Sequence, residues 1–129
     1  MEGFYNISIK AYGMALKLAS NFNKKAQLWV DGRKNWEVKI RSKISKSDQV
    51  LWVHCSSLGE FEQGRPVIEA LKENYPQYKI AVSFFSPSGY EIRKNYSGAD
   101  LIFYLPLDTN SNAKKLIELL HPEILILVK

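Results

Sequence analysis

The chain has 129 residues, of which 46% are hydrophobic and 24% are charged, a composition typical of one globular domain with a modest core. Its single cysteine, Cys55, excludes an internal disulfide, and its two histidines, His54 and His121, lie too far apart in sequence for a zinc motif. The net charge is +5, but residues 1–49 carry ten Lys or Arg against four Asp or Glu. The positive charge therefore belongs to the N-terminal third, which is typical of an arm that meets nucleic acid or an anionic membrane.

An amphipathic helix is predicted over residues 4–22. Apolar residues recur there at steps of three and four, as on one face of a helix, and a second apolar set widens that face. Three lysines at seven-residue spacing predict a cationic ridge beside it. The first set comprises Phe4, Ile7, Ala11, Met14, Ala15, Leu18 and Phe22, the second comprises Tyr5, Ile9, Tyr12, Leu16 and Ala19, and the lysines are Lys10, Lys17 and Lys24.

A wide apolar face with aromatic residues and flanking lysines is typical of a helix that lies in the membrane interface. A spanning helix needs about 20 largely uncharged residues, and Lys10 and Lys17 interrupt the run; the same lysines disfavour a cleaved signal peptide. We therefore expect docking on an anionic membrane surface through Phe4, Phe22 and the three lysines. Alternatively, the helix docks on a protein partner or packs on the core with a solvated lysine edge. Nucleic-acid binding is disfavoured, because the basic stretch contains no recognised reading module.

From residue 50 onward, short apolar strands alternate with helical segments, whereas residues 23–49 form a polar, basic connector with a short helix at Trp36–Ile44. Continuous apolar strands separated by helices indicate a parallel sheet with helices on both faces. The predicted class is α/β: a Rossmann-like domain over residues 50–129, preceded by the membrane-docking segment and connector over residues 1–49. The predicted strands are Val50–His54, Lys79–Phe84, Leu101–Leu105 and Glu123–Val128, and the helices are Glu60–Tyr75, Tyr90–Tyr96 and Asp108–Leu120.

The last strand, EILILV, is followed only by Lys129. A continuous apolar run of this kind predicts a buried strand. A parallel sheet normally presents its site at the carboxyl end of such a strand and continues into another helix. The sequence therefore predicts a chain truncated after the first half of a doubly wound fold.

The carboxyl ends of parallel strands are where such sheets bind ligands. The first of these ends carries Ser56, Ser57 and Gly59 in a strand-to-helix turn, where backbone N–H groups can receive an anion. Glu60 lies at the start of the helix that follows. It either complements the helix dipole or acts as a general base in the cleft, and its position alone leaves both interpretations open.

Three familiar motifs do not fit this turn. A dinucleotide fingerprint needs three glycines, and only Gly59 is present, while a phosphate-binding GxxxxGK[ST] loop is absent. A hydrolase nucleophile elbow needs glycine at the position of Cys55, and a lone cysteine beside an apolar strand is usually a small core residue. A second turn, Ser86-Pro87-Ser88-Gly89, either binds hydroxyl or phosphate groups or only caps the next helix.

Four segments resemble the bacterial 3-deoxy-D-manno-octulosonic acid (Kdo) transferases, in the same order and spacing. Trp52–Glu60 with Pro66–Leu71 and Tyr75-Pro76 resembles their first βα unit. Ser86–Glu91 is similar to their Thr-Pro-Thr-Gly-x-Glu turn, Tyr104–Asp108 to their Tyr-Leu-Pro-x-Asp segment, and Trp29–Lys34 to the stretch before their first domain. Leu58 stands where the family usually has valine, and Cys55 and Ser56 differ from its commoner apolar pair.

This resemblance implies the N-terminal, acceptor-side half of a GT-B glycosyltransferase at the cytoplasmic face of the bacterial inner membrane. Such an enzyme transfers Kdo from CMP-Kdo to a lipid A precursor, with no cofactor and no metal, and binds the sugar nucleotide mainly through a C-terminal domain absent here. Glu60 would be the general base. The acceptor-binding residues would be Ser56, Ser57, Gly59, Ser86, Ser88 and Gly89. The alternatives are a GT-B enzyme with another acceptor and a non-enzymatic α/β module that docks on a membrane.

Overall fold

A computed structural model describes all residues from Met1 to Lys129. It contains six helices and four strands, which alternate from the first strand onward. The helices are α1 (Glu2–Ala19), α2 (Lys24–Gly32), α3 (Trp36–Lys43), α4 (Leu58–Asn74), α5 (Pro87–Arg93) and α6 (Asn110–Leu120). The strands are β1 (Val50–Cys55), β2 (Lys79–Phe84), β3 (Leu101–Tyr104) and β4 (Pro122–Val128).

The four strands form one parallel sheet in the order β3-β2-β1-β4. The chain first moves from β1 to β2 to β3, and α6 then returns it across the sheet so that β4 pairs with β1 on the other side. The order therefore reverses between β1 and β4, which is the topological switch point where open α/β sheets bind ligands. The predicted α/β class with a parallel sheet is confirmed.

Two apolar cores cover the two faces of the sheet, as expected for parallel strands buried between helices. Residues of α3 and α6 pack on one face, and residues of α4 pack on the other. The first core comprises Ile40, Ile44, Val50, Trp52, Ala81, Leu101, Phe103, Leu116 and Leu120. The second comprises Val53, Cys55, Phe61, Ile68, Ile80, Val82, Phe84 and Ile102.

The basic connector contains a helix that the sequence pattern did not predict. Asn23 caps α2, because its side-chain oxygen accepts hydrogen bonds from the N–H groups of Lys25 at 2.9 Å and Ala26 at 3.4 Å. Only Ala26 and Trp29 are buried in this helix, so it has too few apolar positions to give a clear period. The short helix predicted from Trp36 is confirmed as α3.

The first helix ends at Ala19, three residues before the predicted end, and Lys24 begins α2. The expectation that Lys10, Lys17 and Lys24 form one ridge on a single helix is therefore wrong. The cause is local, because Asn23 adopts an extended conformation as the cap of α2 and so interrupts the helix. None of the six helices combines the length and apolarity needed to cross a membrane.

The last strand is an edge strand, and the expectation that it is buried is wrong. It pairs with β1 alone, and Ile124, Leu125 and Leu127 are exposed. Only the face towards α4 is partly covered, where Val128 packs against the backbone of Gly64. The apolar run was read correctly as a strand, but the burial of a strand depends on its neighbours, and β4 has only β1 and α4 beside it.

The contribution of α3 to the core gives a direct stability prediction. Ile40 has no exposed surface and packs between the sheet and α6. Ile40→Ala should lower the free energy of unfolding by about 2–5 kcal/mol, because it leaves a cavity among immobile neighbours. Val38→Ala on the same helix should change it by less than about 0.5 kcal/mol, since Val38 is largely exposed.

Urea denaturation of both variants would measure the difference. Equal stabilities would mean that α3 folds apart from the sheet, as the predicted domain division between residues 49 and 50 implies. That division stays a prediction until such a measurement is made.

Candidate functional site

Two strand-to-helix turns lie side by side at the carboxyl edge of the sheet. The first joins β1 to α4 and contains Ser56 and Ser57, and the second joins β2 to α5 and begins at Phe85. The backbone N–H of Ser86 donates a hydrogen bond to the carbonyl oxygen of Ser56 at 2.9 Å. The two turns are therefore held together beside the switch point, as the sequence predicted from their positions after neighbouring strands.

The carboxylate of Glu60 closes the first turn. Ser57 caps α4 and accepts the N–H of Glu60 at 3.4 Å, while Oε2 of Glu60 accepts the N–H of Ser56. This reciprocal arrangement is close to a capping box. The side chain is half-buried and forms no ion pair, and its second oxygen, Oε1, accepts no hydrogen bond within the chain. One oxygen therefore stabilises the helix start while the other is free to take a proton, so the two interpretations of this residue are compatible.

The second turn is built mainly by its own serines. Ser86 caps α5 by accepting the N–H of Ser88 at 3.1 Å, and the two hydroxyl oxygens lie 2.7 Å apart. Ser88 is exposed, and Ser86 is half-buried. Gly89 is buried because it packs against the ring of Phe84 and the backbone of Leu58. The structure therefore gives Gly89 a packing role and leaves the hydroxyl of Ser88 accessible to a ligand.

A histidine that the sequence interpretation did not select lies next to Glu60. Trp52 donates its indole N–H to Oγ of Ser83 at 2.8 Å, and that oxygen lies 2.8 Å from Nδ1 of His54. Nε2 of the same ring lies 3.5 Å from Oγ of Ser56. Burial lowers the pKa of His54, and the charge of Glu60 opposes that shift only in part. The ring is therefore neutral near pH 7, and it orients Ser56 rather than contributing charge. The available signal was strand alternation, which places Trp52 and His54 on one face.

Cys55 is not suited to nucleophilic chemistry. It has no exposed surface, and burial together with the nearby charge of Glu60 raises the pKa of its thiol to about 11. The thiolate that would act as nucleophile or metal ligand is therefore absent at neutral pH. No group of three or more His, Cys, Asp or Glu side chains converges with metal-binding geometry.

A cluster of aromatic rings around one guanidinium fastens α2 to the second turn. The guanidinium of Arg33 lies 3.8 Å from the ring centroid of Trp29, and its two terminal nitrogens donate to the carbonyl oxygens of Trp29 at 3.1 Å and Phe85 at 2.8 Å. No carboxylate pairs with it, and burial lowers its pKa to about 10. Cation–π contact replaces the missing counter-charge. The sequence pattern missed this cluster because its members are distant along the chain.

Helix α1 crosses the same edge of the sheet. One of its faces is docked: the ring of Tyr12 meets that of Trp29 edge-on with centroids 5.8 Å apart, and Gly13 lies against the side chain of Leu107. At the helix start, Tyr5 donates a hydrogen bond to Asp108. Helix α2 and the residues that follow β3 thus support α1.

The opposite face of α1 is apolar and exposed, and no residue of the helix is fully buried. The two apolar sets predicted from the sequence therefore separate: members of the second set, such as Tyr12 and Leu16, contact the rest of the chain, while the first set faces solvent. The exposed side chains of the first set include Phe4, Ile7, Met14, Leu18 and, just beyond the helix, Phe22. Lys10 and Lys17 flank this face and are also exposed.

The parallel sheet with helices on both faces is consistent with the N-terminal half of a GT-B glycosyltransferase fold. Residues 33–129 match the family model described as 3-deoxy-D-manno-octulosonic-acid transferase (kdotransferase). The chain belongs to this family, and the resemblance seen in its motifs is confirmed.

Curated relatives agree with this assignment over part of their length. The chain is 38% identical over 80 residues to the 3-deoxy-D-manno-octulosonic acid transferase of Aquifex aeolicus, which covers 61% of this chain and 22% of that protein. It is 27% identical over 82 residues to the enzyme of the same name from Haemophilus influenzae, covering 63% of this chain and 19% of that protein. It is also 28% identical over 87 residues to a protein of Fusobacterium nucleatum named bifunctional glycosyltransferase/methyltransferase, covering 65% of this chain and 13% of that protein. The chain thus spans about a fifth of the length of the two transferases.

The packing of Gly89 gives a prediction about its contribution to stability. A Cβ atom at this position would lie 3.1 Å from the backbone nitrogen of Leu58 and would overlap the ring of Phe84, which is fully buried. Gly89→Ala should therefore lower the free energy of unfolding by about 1–3 kcal/mol.

Gly59→Ala is the matched control, since Gly59 occupies the first turn of α4 and a Cβ there would meet nothing closer than 4.0 Å. It should be neutral or stabilising by up to about 1 kcal/mol. Thermal melts of both variants would test this, and a stable Gly89→Ala protein would contradict the packing role.

Proposed function

We propose that the protein transfers Kdo from CMP-Kdo to a lipid A precursor, with Glu60 as the general base. The observation that carries this proposal is the half-buried carboxylate at the topological switch point, with one oxygen fixed by Ser56 and the other unpartnered, in a chain of the Kdo transferase family. A base must be held firmly and yet keep one oxygen available, and both conditions are met here.

The reaction needs one proton acceptor on the acceptor side. A hydroxyl oxygen of the lipid-borne sugar attacks the anomeric carbon of Kdo, CMP leaves with the electrons of the broken bond, and the hydroxyl proton passes to Oε1 of Glu60. The leaving phosphate ester needs no strong acid from this part of the protein. A carboxylate within about 2.6–3.2 Å of the hydroxyl is sufficient for this transfer.

The neighbouring turns offer groups that would bind the acceptor sugar. The hydroxyl of Ser88 and the partly exposed hydroxyls of Ser56 and Ser86 surround the edge on which Glu60 lies. Gly59 is exposed beside them, so the backbone at the start of α4 is accessible. These groups would orient the attacking hydroxyl, while CMP-Kdo would be bound mainly by a C-terminal domain.

Membrane docking through α1 would bring this edge to a lipid acceptor. Its exposed apolar face and the lysines on its flank suit the interface of an anionic leaflet, which we propose to be the cytoplasmic face of the inner membrane. The core-packing alternative for this helix is not favoured, because its first apolar set has no partner within the chain. A protein partner stays the competing explanation.

A second candidate is a GT-B glycosyltransferase with a different acceptor. The chain is also similar to the Fusobacterium protein, which is named a bifunctional glycosyltransferase/methyltransferase, and this similarity supports testing an enzyme with a different acceptor. A purified lipid A precursor distinguishes the two, since only the first candidate predicts a Kdo-containing product from it. If neither this nor any other acceptor is modified, the non-enzymatic docking module is the better interpretation.

Replacing the carboxylate of Glu60 by an amide tests the base. In Glu60→Gln, the amide oxygen still accepts the N–H of Ser56, so the cap of α4 is preserved while the proton acceptor is lost. We expect kcat for Kdo transfer to fall by about 10²–10⁴-fold, with an unchanged melting temperature. Glu73→Gln, on the exposed side of the same helix, is the control and should retain full activity. Turnover of the Glu60 variant within about tenfold of the wild type would overturn the assignment.

Removing apolar side chains from α1 tests membrane docking. Ile7→Gln with Met14→Gln should weaken binding to vesicles that contain phosphatidylglycerol by about tenfold or more, because burial of each side chain contributes about 1.5–3 kcal/mol. Val67→Gln with Ile117→Gln, two exposed apolar residues on α4 and α6, is the matched control and should bind normally. Equal binding of both double variants in a vesicle sedimentation assay would refute docking through α1.

A further inference from the structure

An apolar cavity of about 330 Å³ lies between α1, α2 and the turn after β2. Its volume is at the lower end of the range for small-ligand pockets. Polar groups are confined to a few positions, from Asn23, Lys25 and Ser86. The apolar lining comes from Tyr12, Leu16, Ala19, Ala26, Trp29 and Phe85.

The walls of this cavity are held in place by contacts of their own. Trp29 is buried and packs edge-on against Tyr12 and Phe85, with ring centroids 5.8 Å and 6.1 Å away. Arg33 stacks on Trp29 and donates a hydrogen bond to the carbonyl oxygen of Phe85. These contacts fix the wall of the cavity that Trp29 and Phe85 form.

One wall also carries an unused polar group. The indole N–H of Trp29 is buried and has no acceptor within the chain, whereas that of Trp52 is paired with Ser83. Buried donors are almost always satisfied in folded proteins. Because the indole nitrogen has no accessible surface, a ligand in the cavity would reach it only after a shift of the ring.

The cavity lies between the exposed face of α1 and the turn that holds Glu60. Ala19 lines it, and the adjacent Leu18 and nearby Phe22 are exposed apolar residues. On the other side, Ser86 lines it and donates its backbone N–H to the carbonyl oxygen of Ser56, whose own N–H binds Glu60. A molecule with an apolar tail and a sugar head would span both regions.

We infer that this cavity binds one acyl chain of the glycolipid acceptor and so positions its sugar hydroxyl at Glu60. The inference rests on the proposed function, because it assigns the apolar part of the same substrate. Lys25 at the cavity wall adds charge complementarity to an anionic lipid head group. A chain of methylene groups matches the apolar lining of the cavity.

Filling the cavity tests this inference. Ala19→Phe adds a ring at the cavity wall without removing a buried contact, since Ala19 is exposed at the end of α1. In the full-length protein, we expect KM for the acylated acceptor to rise by about tenfold or more, while kcat/KM for the deacylated disaccharide changes by less than about twofold. Ala70→Phe, at an exposed position on α4 and outside the cavity, is the matched control and should affect neither substrate. Equal effects of Ala19→Phe on both acceptors, or none on either, would overturn the inference.

A binding measurement makes the result independent of turnover. A Trp36→Phe background retains only Trp29 and the core residue Trp52. In it, an alkyl maltoside brominated near its chain end, below its micelle concentration, should quench the Trp29 part of the fluorescence, and Ala19→Phe should abolish this quenching. If quenching is seen but neither acceptor yields a Kdo product, the proposed function fails while the cavity still binds an alkyl chain. Vesicles of brominated phosphatidylglycerol without glycolipid provide the last comparison. If they quench Trp29 and added acylated acceptor does not reduce that quenching, the occupant is bulk lipid and the assignment to the acceptor is wrong.

Discussion

The parallel pairing of β1 with β2 is the constraint on which the rest of the structure depends. Its register places Cys55 opposite Phe84, so both strands end at the same level and their turns meet. The hydrogen bond from Ser86 to Ser56 is possible only in this register. Because β4 pairs with the other side of β1, the turn that carries Glu60 also lies where the strand order reverses. A one-residue slip in register would turn every side chain of β1 to the other face of the sheet. It would therefore disrupt both the core packing and the candidate site.

A second constraint is the cluster around Arg33, which joins the N-terminal helices to the sheet. A half-buried guanidinium without a carboxylate is costly unless its charge and its N–H groups are otherwise satisfied. Here the ring of Trp29 faces the charge and two backbone carbonyls accept from the terminal nitrogens, while the buried Nε has no acceptor within the chain. The N-terminal basic region is therefore not a loose tail: its middle part is fixed to the turn beside the candidate catalytic carboxylate.

The elements from β1 onward were largely predictable, because continuous apolar strands and capped helices leave strong local patterns. Position after β1 also singled out Glu60 and the serine turns as candidates, and their roles stay predictions. The features that could not be predicted depend on contacts between residues that are far apart in the sequence. Helix α2 buries only Ala26 and Trp29, β4 is exposed because burial of a strand depends on its neighbours, and the role of His54 arises from Ser83 on another strand. The division between the two apolar sets of α1 likewise needs the partner surface, since periodicity shows two faces without showing which one is covered.

The attachment of α1 has a consequence for how this family member can vary. Tyr12 and Gly13 face Trp29 and Leu107, while Ile7 and Met14 face outward, and a helix turns by about 100° per residue. Exchanges among apolar residues on the outer face leave the docking of the helix untouched. Insertion or deletion of a single residue within α1 would rotate one half of the helix against the other and would place lysines on the exposed apolar face. The length of this helix is therefore more strongly constrained in evolution than the identity of its outer side chains.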